Sequence, residues 1–115
     1  MILAVLDDLM FTSKIKTTAG QLGVAVTFAR SADAALAAMR QAAPSVVILD
    51  LNNARIDPLG IVASMKAEPE LASIPTVGYV SHVQTDVIIA ARQAGVGEVM
   101  ARSAFTQQLA EILKR

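Results

Sequence analysis

The stretch Ser45-Val46-Val47-Ile48-Leu49-Asp50 decides the fold, because a continuous apolar run ends there in a carboxylate. A second apolar run, residues 2–6, ends in the acid pair Asp7-Asp8. Runs of about five Val, Ile or Leu residues are typical of strands buried on both faces of a parallel sheet, and open α/β sheets place their sites at the carboxyl ends of such strands. The sequence therefore predicts two buried parallel strands and three acids that meet at one edge of the sheet, which favours a divalent cation site.

Length and composition restrict the class of protein. The chain of 115 residues fits one domain, residues 1–115, and no linker or tail is recognised at either end. Ten basic and ten acidic residues give a net charge of zero, so neither nucleic acid nor an anionic membrane is an expected partner. The chain has no cysteine, which excludes disulfides and thiolate chemistry, and no apolar run is long enough to span a membrane. We therefore expect a soluble, stand-alone, cytoplasmic module.

Hydrophobic periodicity predicts five strands that alternate with five helices. The predicted strands are residues 2–6, 24–28, 45–50, 76–81 and 97–101. The predicted helices are residues 11–22, 32–39, 58–65, 83–94 and 105–113; Ser31 and Asp57 are expected to cap the second and third. This alternation implies a parallel sheet with right-handed crossovers and helices on both faces.

Acidic, hydroxyl and basic residues that follow four of the predicted strands in a fixed order carry a resemblance to a known family. The acid pair Asp7-Asp8 follows the first strand, Asp50 the third, Ser81 the fourth and Arg102 the fifth. By these residues and their order, the chain resembles the receiver domain of bacterial two-component response regulators over essentially all its length. The resemblance implies an α/β, flavodoxin-like (βα)5 three-layer sandwich with a five-stranded parallel sheet in the order 2-1-3-4-5.

The resemblance also implies a role for each site residue. Asp50 would accept a phosphoryl group, and Ser81 would bond the resulting aspartyl phosphate. A weakly bound Mg²⁺ would be held by Asp8, Asp50 and the backbone carbonyl of Asn52, with Asp7 acting through water. These residue types suit the chemistry, because phosphoryl transfer depends mainly on positioning and charge neutralisation, and Mg²⁺ prefers oxygen ligands while keeping several waters.

The chain departs from the family pattern at several positions near this site. Arg102 replaces the family lysine, Ser103 the following proline, Val99 the usual switch aromatic and His82 a small residue. A planar guanidinium does not reproduce a compact ammonium. Arg102, Ser103 and Val99 favour a second hypothesis: a phosphorylation-independent protein-interaction or adaptor module with a degenerate receiver site, in which Arg102 could pair permanently with Asp50.

The candidate residues also have plainer interpretations. One member of Asp7-Asp8 could simply cap the next helix, and Ser81 could end a strand. Asp50 could remain from a receiver that no longer accepts phosphate. His82 fits a loop residue, because no second His or Cys accompanies it. A flavin-binding electron carrier of the same topology is disfavoured, since acids after the first strand would repel phosphate.

The expected partners follow from the resemblance. They are a histidine kinase or phosphotransfer protein as phosphodonor and an unknown downstream protein, and the domain itself is not expected to be an enzyme. The face formed by the fourth helix, fifth strand and fifth helix is the predicted surface for that partner or for a homodimer. Ile88 and Ile89 on the fourth helix lie outside the predicted inward stripe, so both are expected to be exposed there.

Overall fold

The computed structural model describes residues 1–81 and 84–115. A single five-stranded parallel sheet has the order β2-β1-β3-β4-β5, which confirms the predicted α/β, flavodoxin-like architecture. The elements along the chain are β1 Ile2–Val5, α1 Leu9–Leu22, β2 Val26–Ala29, α2 Ala32–Gln41, β3 Val46–Asp50, a 3-10 turn Ala54–Ile56, α3 Pro58–Ala67, β4 Thr76–Val80, α4 Thr85–Ala94, β5 Glu98–Ala101 and α5 Arg102–Leu113.

Alternate side chains of the central strands divide the core into two layers. Leu3, Val5 and Leu49 point toward one layer, which α2, α3 and α4 cover. Ala4 and Ile48 point toward the other layer, which is covered by α1 and α5. Strand side chains two positions apart share a face, so Asp50 belongs to the α1–α5 face, as Ile48 does. The candidate acceptor therefore lies above the core layer that α1 and α5 build.

Local chemistry sets the helix boundaries. Ser31 and Asp57 accept backbone N–H bonds as the predicted caps of α2 and α3. Gly23 ends α1 in the left-handed conformation (φ 69°), and the N–H of Val24 still donates to the carbonyl of Ala19 at 2.9 Å. Strand β2 therefore begins at Val26, two residues later than predicted, because the residues after Gly23 complete the helix exit.

The predicted exposure on α4 is confirmed for one isoleucine and wrong for the other. Ile89 is 49% exposed. Ile88 is half-buried and packs against the core layer beneath α4. It lies three residues before the fully buried Ala91, so it belongs to the inward stripe. The predicted contribution of Val83 to that stripe, like the position of His82, lies outside the described residues.

In residues 1–81 and 84–115, no helix has the length and apolar character needed to cross a bilayer.

Candidate functional site

The sheet register brings the predicted site residues to one edge. Strand β1 lies beside β3, where Val5 is the partner of Leu49, and β3 lies beside β4, where Asp50 is the partner of Tyr79. The residues that follow β1 and β4 therefore come out next to the end of β3. Consistent with this proximity, the pKa of Asp50 is raised mainly by burial and, to a smaller extent, by the charges of Asp7 and Asp8.

Asp8 uses its two carboxylate oxygens for two different partners. Oδ1 accepts the N–H groups of Met10 (2.9 Å) and Phe11 (3.1 Å), which makes Asp8 the N-cap of α1. Oδ2 lies 3.3 Å from Nη2 of Arg102. The Phe11 N–H, helped by the Met10 N–H and by Arg102, holds the pKa of Asp8 below its usual value. The helix-capping interpretation of the acid pair therefore holds for Asp8.

Asp7 is held by two residues of the loop that follows β3. Its Oδ1 accepts from Nδ2 of Asn53 at 2.6 Å, and its Oδ2 lies 3.0 Å from Nη2 of Arg55. The Arg55 side chain is 81% exposed, so this ion pair contributes at most about 1 kcal/mol to stability. Neither Asn53 nor Arg55 was predicted from the sequence as a site residue. A basic residue five positions after Asp50 was the only available signal.

Arg102 is the first residue of α5 and contacts Asp8 rather than Asp50. Its guanidinium carbon lies 4.4 Å from the centre of the Phe11 ring, a cation–π geometry that directs the side chain toward α1. The hypothesis of a permanent Arg102–Asp50 pair is therefore wrong for this structure. The peptide bond between Arg102 and Ser103 is trans, as the absence of proline predicts.

Asp50 differs from its acidic neighbours because no cation contacts it in the described part of the chain. Its side chain is half-buried, and its Oδ1 accepts the N–H of Asn52 at 3.1 Å. Burial raises the pKa of Asp50, whereas the Asn52 N–H and the more distant charge of Arg102 oppose that rise. The carboxylate is thus partly removed from water and has no cation in contact within the described part of the chain.

The side chain of Asn52 connects the ends of β3 and β4. Its Oδ1 accepts the N–H of Ser81 at 2.5 Å, and its Nδ2 donates to Oε1 of Gln84 at 2.7 Å. From the sequence, only the backbone carbonyl of Asn52 was predicted to belong to the site, and this side-chain bridge was missed. The exposed Ser81 is therefore fixed beside Asp50 through its backbone.

The acids of the site match a divalent cation in residue type but not in their present arrangement. Carboxylate oxygens from Asp7, Asp8 and Asp50 suit Mg²⁺ chemically. Across residues 1–81 and 84–115, however, no three acidic, His or Cys side chains converge as a metal-binding group. Two of the carboxylates are instead neutralised by Arg55 and Arg102. The residues therefore fit the ion by type, and a cation would have to replace the guanidinium at Asp8.

Comparisons with known proteins agree with this fold. The protein-family model of the response regulator receiver domain matches residues 2–114 of this chain. The fold is similar to that of chemotaxis protein CheY4 from Vibrio cholerae, with a TM-score of 0.85, 19% identity, and coverage of 99% of this chain and 95% of that chain. A comparison with curated protein sequences found no match.

Two further solved structures are similar. One is the phosphorylated cyanobacterial phytochrome response regulator RcpA, with a TM-score of 0.81, 26% identity, and coverage of 98% of this chain and 87% of that chain. The other is the Mn(2+)-bound form of response regulator Rcp1, with a TM-score of 0.79, 22% identity, and coverage of 96% and 89%. From the family match over residues 2–114 and this shared fold, we conclude that the chain belongs to the response regulator receiver domain family.

Proposed function

We propose that this domain, residues 1–115, is a cytoplasmic receiver of a two-component phosphorelay and takes a phosphoryl group on Asp50. The observation that carries the proposal is the contrast among the three acids. Asp7 and Asp8 are each in contact with a guanidinium, whereas Asp50 is half-buried with no cation in contact among the described residues. A carboxylate in that condition keeps an oxygen free to attack phosphorus.

Phosphoryl transfer to Asp50 forms one bond to phosphorus and breaks another. One carboxylate oxygen forms a bond to phosphorus while the bond from phosphorus to the donor breaks. With a phosphohistidine donor, the electron pair returns to the imidazole nitrogen. The N–H of Asn52 already binds Oδ1 of Asp50, which leaves the second oxygen as the nucleophile. Arg102 places positive charge at the same edge of the sheet, where it favours the negative charge of the transferred group.

Mg²⁺, when bound, would neutralise charge on the phosphoryl oxygens, and Asp7, Asp8, Asp50 and the carbonyl of Asn52 are the proposed donors. Binding is expected to be weak, because Arg102 must leave Asp8 and the Phe11 ring before Asp8 can ligate a cation. Ser81 is proposed to bond the aspartyl phosphate. Its backbone is already held by Asn52, so only its side chain has to turn.

The phosphodonor is proposed to be a histidine kinase or phosphotransfer protein, and the output surface is the α4–β5–α5 face. Ile89 is the large exposed apolar residue of α4 on that face. We expect Ile89→Lys to weaken a homodimer or a downstream complex while leaving the melting temperature nearly unchanged. Met10→Lys is the matched control, since Met10 is also highly exposed but lies on α1. A collapse in melting temperature for Ile89→Lys would contradict the assignment.

The proposed function is tested by intact mass after incubation with acetyl phosphate and Mg²⁺. Acetate leaves in this reaction and one phosphoryl group is added. We expect that addition in the wild type and in Asp57→Asn, and none in Asp50→Asn. Asp57 is a matched control because it caps α3 outside the site, and Asn preserves that cap. No addition to the wild type, or equal addition to Asp50→Asn, would instead favour the phosphorylation-independent adaptor.

A further inference from the structure

Tyr79 lies beside the candidate acceptor and has no part in the site described above. It is the cross-strand partner of Asp50, so the two side chains leave the sheet on the same face. The backbone is shared as well, since the N–H of Leu51 donates to the carbonyl of Tyr79 at 3.0 Å. Tyr79 is only 1% exposed. A polar aromatic side chain is therefore buried next to Asp50, the site acid that no cation contacts among residues 1–81 and 84–115.

The hydroxyl of Tyr79 has no hydrogen-bond partner in residues 1–81 and 84–115. Burying a hydroxyl without a partner is unfavourable, and such groups call for an explanation. Burial raises the pKa of this hydroxyl. The charged groups that also affect this pKa all belong to the candidate site and are, from the largest effect to the smallest, Asp50, Arg102, Asp8 and Asp7. A tyrosine hydroxyl is protonated at neutral pH, so this one is available as a donor beside the candidate site.

Aromatic packing fixes the Tyr79 ring in this position. Its centroid lies 4.9 Å from that of Phe11 and 5.0 Å from that of Phe105, and the two phenylalanines are 5.7 Å apart. Three of the four aromatic residues of the chain thus gather under the site. The guanidinium of Arg102 covers Phe11 from the site side. A ring packed in this way has little freedom to find a partner elsewhere.

We propose that Tyr79 is a positioning residue whose hydroxyl donates a hydrogen bond to the anionic group that Asp50 carries after phosphorylation. The inference rests on the proposed function. A phosphoryl group would add three strong acceptor oxygens to the side chain opposite Tyr79 in the sheet, and the Tyr79 hydroxyl has no acceptor among the described residues. The unpaired hydroxyl is then a feature of the unmodified state alone.

The test compares the affinity for beryllofluoride, which adds to a carboxylate in the place of a phosphoryl group, in three proteins with Mg²⁺ present. They are the wild type, Tyr79→Phe and Thr12→Val. Thr12 carries the other buried hydroxyl without a partner in the described ranges, on α1, so its variant controls for removing such a group. We expect Tyr79→Phe to weaken beryllofluoride binding by about tenfold, and Thr12→Val to leave it unchanged. Neither variant should lower the melting temperature of the unmodified protein.

The wild type offers a direct second readout. The chain contains one tyrosine and no tryptophan, so its intrinsic fluorescence comes from Tyr79 alone. We expect beryllofluoride to change this fluorescence in the wild type and not in Asp50→Asn. If the wild type binds beryllofluoride while Tyr79→Phe binds with equal affinity, the inference is overturned and the proposed function stands. If the wild type neither binds it nor gains a phosphoryl group, both are overturned.

Discussion

The acid pair after β1 and the single acid at the end of β3 are the same residue type at one edge of the sheet, yet their environments are opposite. Asp7 and Asp8 each contact a guanidinium. Asp50 has no such contact within the described residues and is half-buried. Burial raises the pKa of Asp50, whereas the N–H groups at the start of α1 lower the pKa of Asp8. The difference teaches that position in the fold places an acid at the site, and its partners decide whether it is available for chemistry.

The largest expected effect comes from overpacking the core layer around Leu51, the residue that follows Asp50 and lies on the opposite face of the sheet. A Cβ added at Gly78 would lie 2.6 Å from Cδ1 of Leu51, the buried residue that directly follows Asp50. We expect Gly78→Ala to destabilise the domain by about 1–3 kcal/mol, as overpacking does, measured by urea unfolding. The control is Gly20→Ala on α1, where nothing lies within 4 Å and a gain of about 0.5–1 kcal/mol is expected. If Gly78→Ala does not change the free energy of unfolding, the Leu51 side chain can move aside without cost, and the expectation is wrong.

The acid pair is tested next, through the capping bonds of Asp8. Asp8→Ala removes the acceptor for two N–H groups of α1 and should cost about 1 kcal/mol at neutral pH. Asp8→Asn keeps the acceptor and should cost less. Because the pKa of Asp8 is lowered by folding, its contribution should disappear as pH falls through that lowered pKa. Equal stability of Asp8→Ala and the wild type in thermal unfolding would show that the cap is unimportant.

The smallest expected effect has the opposite sign and concerns Asp50. Its pKa is raised by folding, so the folded state binds this proton more tightly than the unfolded state does. At neutral pH the buried charge therefore costs stability, and Asp50→Asn should be more stable than the wild type. The advantage should shrink as pH falls through the raised pKa and disappear below the ordinary value of 3.8. Asp50→Asn that is less stable than the wild type at neutral pH would contradict the contrast between the acids.

The fold could be predicted from the sequence because its strands are continuous apolar runs, and the topology then required the ends of β1, β3 and β4 to meet. The side-chain pairings within the site could not be predicted. Whether Arg102 contacts Asp8 or Asp50 depends on a stack against Phe11, which involves residues far apart in the sequence. Tyr79 was missed because in the sequence it is one more buried strand residue. Its position opposite Asp50 follows from the sheet register, which the sequence does not give.

The most direct measurement of the central claim locates the phosphoryl group on the chain. The protein is incubated with acetyl phosphate and Mg²⁺ and then treated with borohydride, which reduces an aspartyl phosphate and marks the residue that carried it. Peptide mass spectrometry should find the mark at Asp50 and none at Asp7 or Asp8, the two acids paired with arginines. A mark at Asp7 or Asp8, or no mark anywhere in the chain, would contradict the account.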